Sequence, residues 1–161
     1  MKKKIVYVPM VADILHEGHI NILKIAQKYG EIIVGLLTDE AIASYKSIPI
    51  LNYKNRELLV KNLKYVAKVV PQTTDDYFNN LNKIKPDYLV HGDDWKYDNR
   101  KRIRTKVIKT LKKWSGKLIE PRYTKNISSS EIKNKILEIA TLPENRISRL
   151  KRLMLSKKIV R

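Results

Sequence analysis

Apolar positions in this chain form two alternating patterns. Short runs with little polar alternation lie at Ile5 to Val8, Ile32 to Leu37, Val66 to Val70, Tyr88 to His91 and Lys117 to Glu120. Such runs read as strands buried on both faces of a parallel sheet. Between them, apolar residues recur at the three- and four-residue spacing of amphipathic helices. From Gly18, Ile20, Leu23, Ile25 and Ala26 make one helix that Gly30 stops. Thr38 and Asp39 cap a short helix to about Tyr45. Tyr53 to Tyr65 reads as a helix with Leu58, Leu59 and Leu63 turned inward, and Pro71 stops the strand after it. Asp75 or Asp76 caps a helix that reaches Lys85 and ends at Pro86. Asn99 to Trp114 is a basic helix with Ile103, Val107, Ile108 and Leu111 on one face, ended by Gly116. One of Ser128, Ser129 and Ser130 caps a helix to about Ala140. Residues 46–52, the run Gly92-Asp93-Asp94-Trp95 and residues 121–127 read as loops.

Strands alternating with helices predict an α/β layer fold with a mostly parallel five-stranded sheet. The expected organisation is one domain over residues 1–140 and, beyond Pro143, a basic helical tail within 141–161. In open α/β sheets ligands bind at the carboxyl ends of strands, near the point where strand order reverses. The polar loops after strands one, four and five are therefore expected to gather on one edge.

Composition adjusts this picture modestly. The chain has 161 residues, 43% of them apolar, and no cysteine, which removes disulfides, thiolate metal sites and cysteine nucleophiles. The basic start is followed by an apolar run too short for a secretory signal, and nothing approaches the length of a membrane span. A cytoplasmic location is expected. The net charge of +18 favours anionic partners, but the abundance of Lys, Asn and Ile also fits plain compositional drift.

The loop after the first strand holds two of the three histidines, His16 and His19, with Gly18 between them and Asp13 before them. Three-residue spacing at a helix start puts both rings on one side. The helix N-terminus adds free N–H groups and a positive dipole end, a natural phosphate site. Simple helix capping is the bland alternative. Metal binding is another, with His91 or Asp13 as a third ligand.

These residues carry a resemblance. His16-Glu17-Gly18-His19 resembles the His-x-Gly-His signature of the cytidylyltransferase-like nucleotidyltransferase superfamily, and Ile127-Ser128-Ser129-Ser130-Glu131-Ile132 its second signature. Gly92-Asp93-Asp94-Trp95 resembles the corresponding loop of glycerol-3-phosphate cytidylyltransferases. The three occur in the expected order over about residues 4 to 138. Ile42 to Lys46, His91 to Trp95 and Tyr123-Thr124-Lys125 are most similar to cytidylyltransferase domains associated with phosphoenolpyruvate mutase. The resemblance implies a Rossmann-like three-layer domain, usually dimeric, and Mg²⁺ bound with the nucleotide. It implies attack of a phosphonate or phosphate oxygen on the α-phosphorus of CTP, with pyrophosphate leaving. The expected acceptor is a small phosphonate such as 2-aminoethylphosphonate.

The resemblance also assigns residues. His16 and His19 stabilise the α-phosphorus, and Lys46 closes over the phosphates as a third catalytic group. Val11, Gly18, Asp94, Trp95, Thr124, Ser128 and Ser129 bind the nucleotide. Asp13, Arg56 and Tyr123 face the acceptor. Three positions depart from the glycerol-3-phosphate pattern: Tyr123 and Lys64 stand where it has arginines, and Asn126 where it has glycine. Rival readings are another phosphomonoester acceptor (glycerol 3-phosphate, phosphocholine, phosphoethanolamine), ATP in place of CTP, and a basic nucleic-acid-binding module. Nucleic acid is disfavoured because basic and aromatic residues do not interleave. The tail is expected to dock on the domain, pair across a dimer, or touch a membrane or partner enzyme.

Overall fold

The computed structural model describes residues 3–45, 48–96, 100–141 and Ser148. They divide into two compact units, Met1–Ile127 and Ser128–Arg161. The first unit holds five strands, β1 (Ile5–Met10), β2 (Glu31–Leu37), β3 (Val66–Gln72), β4 (Tyr88–Val90) and β5 (Lys117–Ile119). Its helices are α1 (Glu17–Gln27), α2 (Asp39–Ala43), α3 (Tyr53–Lys61), α4 (Phe78–Ile84) and α5 (Lys101–Lys112). The second unit contains α6 (Ser129–Ala140), capped by the Ser128 side chain, which accepts from the Glu131 N–H. Apart from Thr141 and Ser148, the expected tail lies outside the described residues.

The sheet is parallel throughout, in the order β3-β2-β1-β4-β5, so this is the Rossmann-like α/β arrangement expected. The chain leaves β1 toward β2 and β3, then returns to the other side of β1 for β4 and β5. The order therefore reverses between β1 and β4, and the loops beyond their carboxyl ends flank the crevice. Central strand β1 shows how the core divides. Val6, Val8 and Met10 join Leu23 of α1 and Val60 of α3 in one cluster, while Tyr7 joins Leu81 of α4 and Val107 and Leu111 of α5 in the other. Alternate side chains of a strand face opposite sides of the sheet, and both sides here are covered by helices.

A polar network lies within the second cluster. An added Cβ on Gly35 would meet the Tyr7 hydroxyl at 1.8 Å, so only glycine leaves room for that phenol. The Tyr7 hydroxyl donates to Gln72 Oε1 and accepts from Asn80 Nδ2 at 3.0 Å. Asn80 also donates to the Pro71 carbonyl at 2.9 Å, and Gln72 to the Thr74 carbonyl at 2.6 Å. Every partner is satisfied, as buried polar groups require. Burial pushes the Tyr7 phenol well above its usual pKa, so it remains a donor.

Three details differ from the sequence reading. Strand β3 runs through Pro71 to Gln72. It is an edge strand, where a residue without an N–H is tolerated. Helix α4 starts after Tyr77, a left-handed residue at φ 64°, and Asp76 caps from one position earlier by accepting the Phe78 N–H at 3.3 Å. Helix α3 is rotated about its axis: Leu58 and Leu59 are exposed, while Arg56 and Val60 face inward. The buried bonds of Arg56 account for the rotation.

Candidate functional site

In the β1–α1 loop, Ala12 is a buried residue at φ 52°. Helix α1 then starts on its own histidines. His16 is the N-cap, and its Nδ1 accepts from the Gly18 N–H at 3.2 Å. His19, three residues on, turns back so that its Nδ1 accepts from the His16 N–H at 3.3 Å. This is the reciprocal geometry of a capping box, with imidazoles replacing the usual Ser and Glu. An acceptor nitrogen carries no proton, so in each ring the proton sits on Nε2. Capping and phosphate binding thus use different edges of the ring and are compatible. The ring centroids are 4.0 Å apart, and both residues are half-buried. Gly18 is needed because a Cβ there would lie 2.9 Å from the His16 ring.

The β5 loop comes to the same place. Asn21 of α1 donates to the Thr124 hydroxyl at 3.3 Å, and a Cβ on Gly18 would be 3.6 Å from Thr124 Cβ. Sequence reading overlooked Asn21, although it is a polar residue among the apolar ones of α1. The β4 loop is tied to the β5 loop by Asp93, whose Oδ1 accepts from the Tyr123 N–H at 2.8 Å. The Tyr123 side chain is exposed. Asn126 adopts φ 61°, the left-handed conformation its place in the motif calls for. The expected gathering of these three loops is therefore seen.

Three expected ligand residues, Arg56, Asp13 and Trp95, are buried. The Arg56 side chain has no exposed surface. Its Nε donates to the Leu51 carbonyl at 3.0 Å, Nη1 to the Val11 carbonyl at 2.6 Å and Nη2 to Asp39 Oδ1 at 2.6 Å. It ties the β1 loop to the segment before α3 and to the start of α2. Asp13, also buried, adds a tie by accepting from the Leu51 N–H at 3.0 Å. The Val11 carbonyl is thus held by a buried cation. Trp95 is the third enclosed residue. It lies in a short 3-10 turn, Asp93–Lys96, at 0% exposure among the core residues of the α4–α5 side. Its indole N–H donates to Glu120 Oε1 at 2.8 Å. Burial alone would raise the Glu120 pKa, but bonds from Arg104 and Trp95 and the charge of Lys96 hold it below the usual value.

His91 stacks on Trp95 with ring centroids 3.9 Å apart and donates from Nδ1 to the Gly92 carbonyl at 2.8 Å. Its other nitrogen meets the Tyr77 hydroxyl, which accepts from Arg100. Burial lowers the His91 pKa, which keeps the ring neutral. His91 and Trp95 thus form the floor beneath Asp94, whose side chain is exposed. A Cβ on Gly92 would crowd Asp94 Oδ1 at 2.9 Å and Tyr123 Cδ2 at 3.3 Å. Lys46 lies outside the described residues. Ser128 and Ser129 open α6 in the second unit, Ser128 through the capping bond already given. Among the described residues, no three His, Asp or Glu side chains gather to hold a metal ion, and no helix is long and apolar enough to cross a membrane.

Known proteins agree with this geometry. The cytidylyltransferase-like family profile matches residues 10–135. An FAD synthase from Aciduliprofundum boonei is 37% identical over 113 residues, 65% of this chain and 75% of that protein. An ethanolamine-phosphate cytidylyltransferase from Dictyostelium discoideum is 36% identical over 137 residues, 82% of this chain but only 36% of that protein. In structure, a lipopolysaccharide core biosynthesis protein from Thermoplasma volcanium superposes with a TM-score of 0.64 at 28% identity, covering 78% of this chain and all of the other. With the histidine-capped helix set beside the switch point of a parallel sheet, the chain belongs to the cytidylyltransferase-like family and is a nucleotidyltransferase.

Proposed function

We propose that this enzyme transfers CMP from CTP to a small acceptor carrying a phosphonate or phosphomonoester group, with 2-aminoethylphosphonate the first candidate. An acceptor oxygen forms a bond to the α-phosphorus as the bond from that phosphorus to the bridging oxygen breaks, and pyrophosphate leaves. Such an acceptor is already ionised near neutral pH, so no strong base is needed. The protein must align two anions and stabilise charge on the transferring and leaving groups. The observation that carries the reading is the His16–His19 capping box, which assigns both ring protons to Nε2 at a helix N-terminus. Two such donors with the helix dipole suit a pentavalent phosphorus. Thr124 lies beside them, and Asp94 stands on the loop across the switch point.

The donor set around the histidines is N–H and hydroxyl groups rather than a carboxylate cage. That suits Mg²⁺ carried on the triphosphate oxygens, where it would neutralise phosphate charge. The amino-bearing acceptor is supported by the motif resemblance and by the ethanolamine-phosphate relative. A second reading, ATP with FMN as acceptor, is favoured by the relative named FAD synthase. The test is pyrophosphate release with Mg²⁺ from CTP or ATP, against 2-aminoethylphosphonate, phosphoethanolamine, phosphocholine, glycerol 3-phosphate and FMN. CTP with an amino-bearing acceptor is the expected pair. ATP with FMN would replace the proposal by the second reading, and no turnover with any pair would end both.

A further inference from the structure

The two helical layers of the sheet differ in charge. Helices α1 and α3, on one side, carry four basic residues and two acidic ones, Glu17 and Glu57. One of the four is the enclosed Arg56, and another, Lys61, pairs with Glu57 at 3.0 Å. Helices α4 and α5, on the other side, carry seven basic residues and no acidic one. Only Arg104 among them turns to a carboxylate, that of Glu120. Lys83, Lys101, Arg102, Lys106, Lys109 and Lys112 are all exposed. Compositional drift would load both layers alike, so the asymmetry needs another cause.

This face is locally unfavourable for the helix that bears it. Arg102 and Lys106 repel at i,i+4 spacing, and Lys106, Lys109 and Lys112 at i,i+3. Lys101 and Arg102 also place positive charge at the positive end of the dipole, with no acidic residue in the first turn. Within the first unit these cations gain little in return: Lys106 Nζ lies 5.9 Å from the centre of the Phe78 ring, and Lys109 and Lys112 sit at the favourable end of the dipole.

We propose that the outward face of the α4–α5 layer docks on an anionic lipid membrane. At 100° per residue, the exposed cations of α5 cover about 140° of its circumference over roughly 16 Å, a broad face rather than a groove. Its exposed positions are Lys101, Arg102, Thr105, Lys106, Lys109 and Lys112. They offer no aromatic ring to stack a base and a single guanidinium, which argues against nucleic acid. The apolar face of α5 is committed to the core through Val107 and Leu111. Docking is therefore electrostatic and peripheral, without insertion.

The test uses the full chain and sedimentation with vesicles of phosphatidylcholine, with and without phosphatidylglycerol. Binding is expected only to the anionic vesicles and should fade as salt is raised. K106E/K109E/K112E is expected to lower the partition by roughly tenfold or more, with the variant still folded and its turnover unchanged. K24E/K28E/K54E makes the same change in net charge on the opposite layer and should retain binding. The proposal is overturned if the protein ignores anionic vesicles or if both triple variants lose binding equally. It is also overturned if duplex RNA strips the protein from vesicles and K106E/K109E/K112E loses that RNA binding, since the partner is then nucleic acid.

Discussion

His16 and His19 sit half-buried at the start of α1, with their Nδ1 edges spent on the helix. Arg56, which holds the same loop from below, has no exposed surface and gives its donors to two backbone carbonyls and Asp39. Both regions were expected to touch reactants. At the rim the Nδ1 atoms of both rings cap α1, while the girdle spends its cation on holding Val11 and Leu51 in place. The difference separates two ways for a motif residue to matter: by touching the reactants, or by holding fixed the loop that does.

That contrast breaks most sharply at His19. His19→Ala is expected to lower kcat by about 10²–10³, the usual cost of removing one preorganised donor. The loss of its capping bond should cost under about 1 kcal/mol of stability. Near-wild-type turnover in a folded variant would remove the role given to the histidine. Arg56→Ala should do the reverse and destabilise the fold. Truncating one partner of a buried ion pair costs about 3–5 kcal/mol, and the partial exposure of Asp39 places this case at the lower end. Urea midpoints read the loss directly. If stability hardly moves while the acceptor KM rises steeply, Arg56 belongs to the rim.

Trp95→Phe sharpens the same distinction on the other side of the crevice. The loss of the indole bond to Glu120 should cost about 1–2 kcal/mol, with little change in nucleotide KM. A large KM effect at unchanged stability would mean that the ring touches the nucleotide. The subtlest effect belongs to His91. Burial places its folded pKa below its unfolded one. Below about pH 6.5 the unfolded chain therefore binds more protons, and stability falls as pH drops. Raising the pH from neutrality takes nothing from this group. His91→Gln should flatten the acid limb in denaturant midpoints; an unchanged limb assigns the acid loss to other groups.

Much of the fold was legible in the chain. All five strands and the helices between them are found where the apolar pattern predicts them. Parallel strands buried on both faces and helices with an apolar stripe leave a strong local signal. The gathering of the β1, β4 and β5 loops followed from architecture alone. The misreadings share one cause. Leu58 and Leu59 look like core residues by hydropathy, yet α3 is oriented by a charged one. Pro71 looks like a strand stop, yet an edge strand accommodates it. Asn21 and Glu120 carry little local mark of importance, and Asp39 reads only as a helix cap. Their roles arise from partners tens of residues away in sequence.

The sequence by itself determined the alternating α/β order, the His-x-Gly-His start of α1 and the basic character of α5, because each depends on neighbours within one or two helical turns. Only the tertiary structure decided that Arg56 and Trp95 are enclosed and that the basic residues collect on one layer of the sheet. Burial, hydrogen-bond partners and the facing of a helix are set by packing between distant segments. For that reason a motif could name the residues of this site without saying which of them reach the reactants.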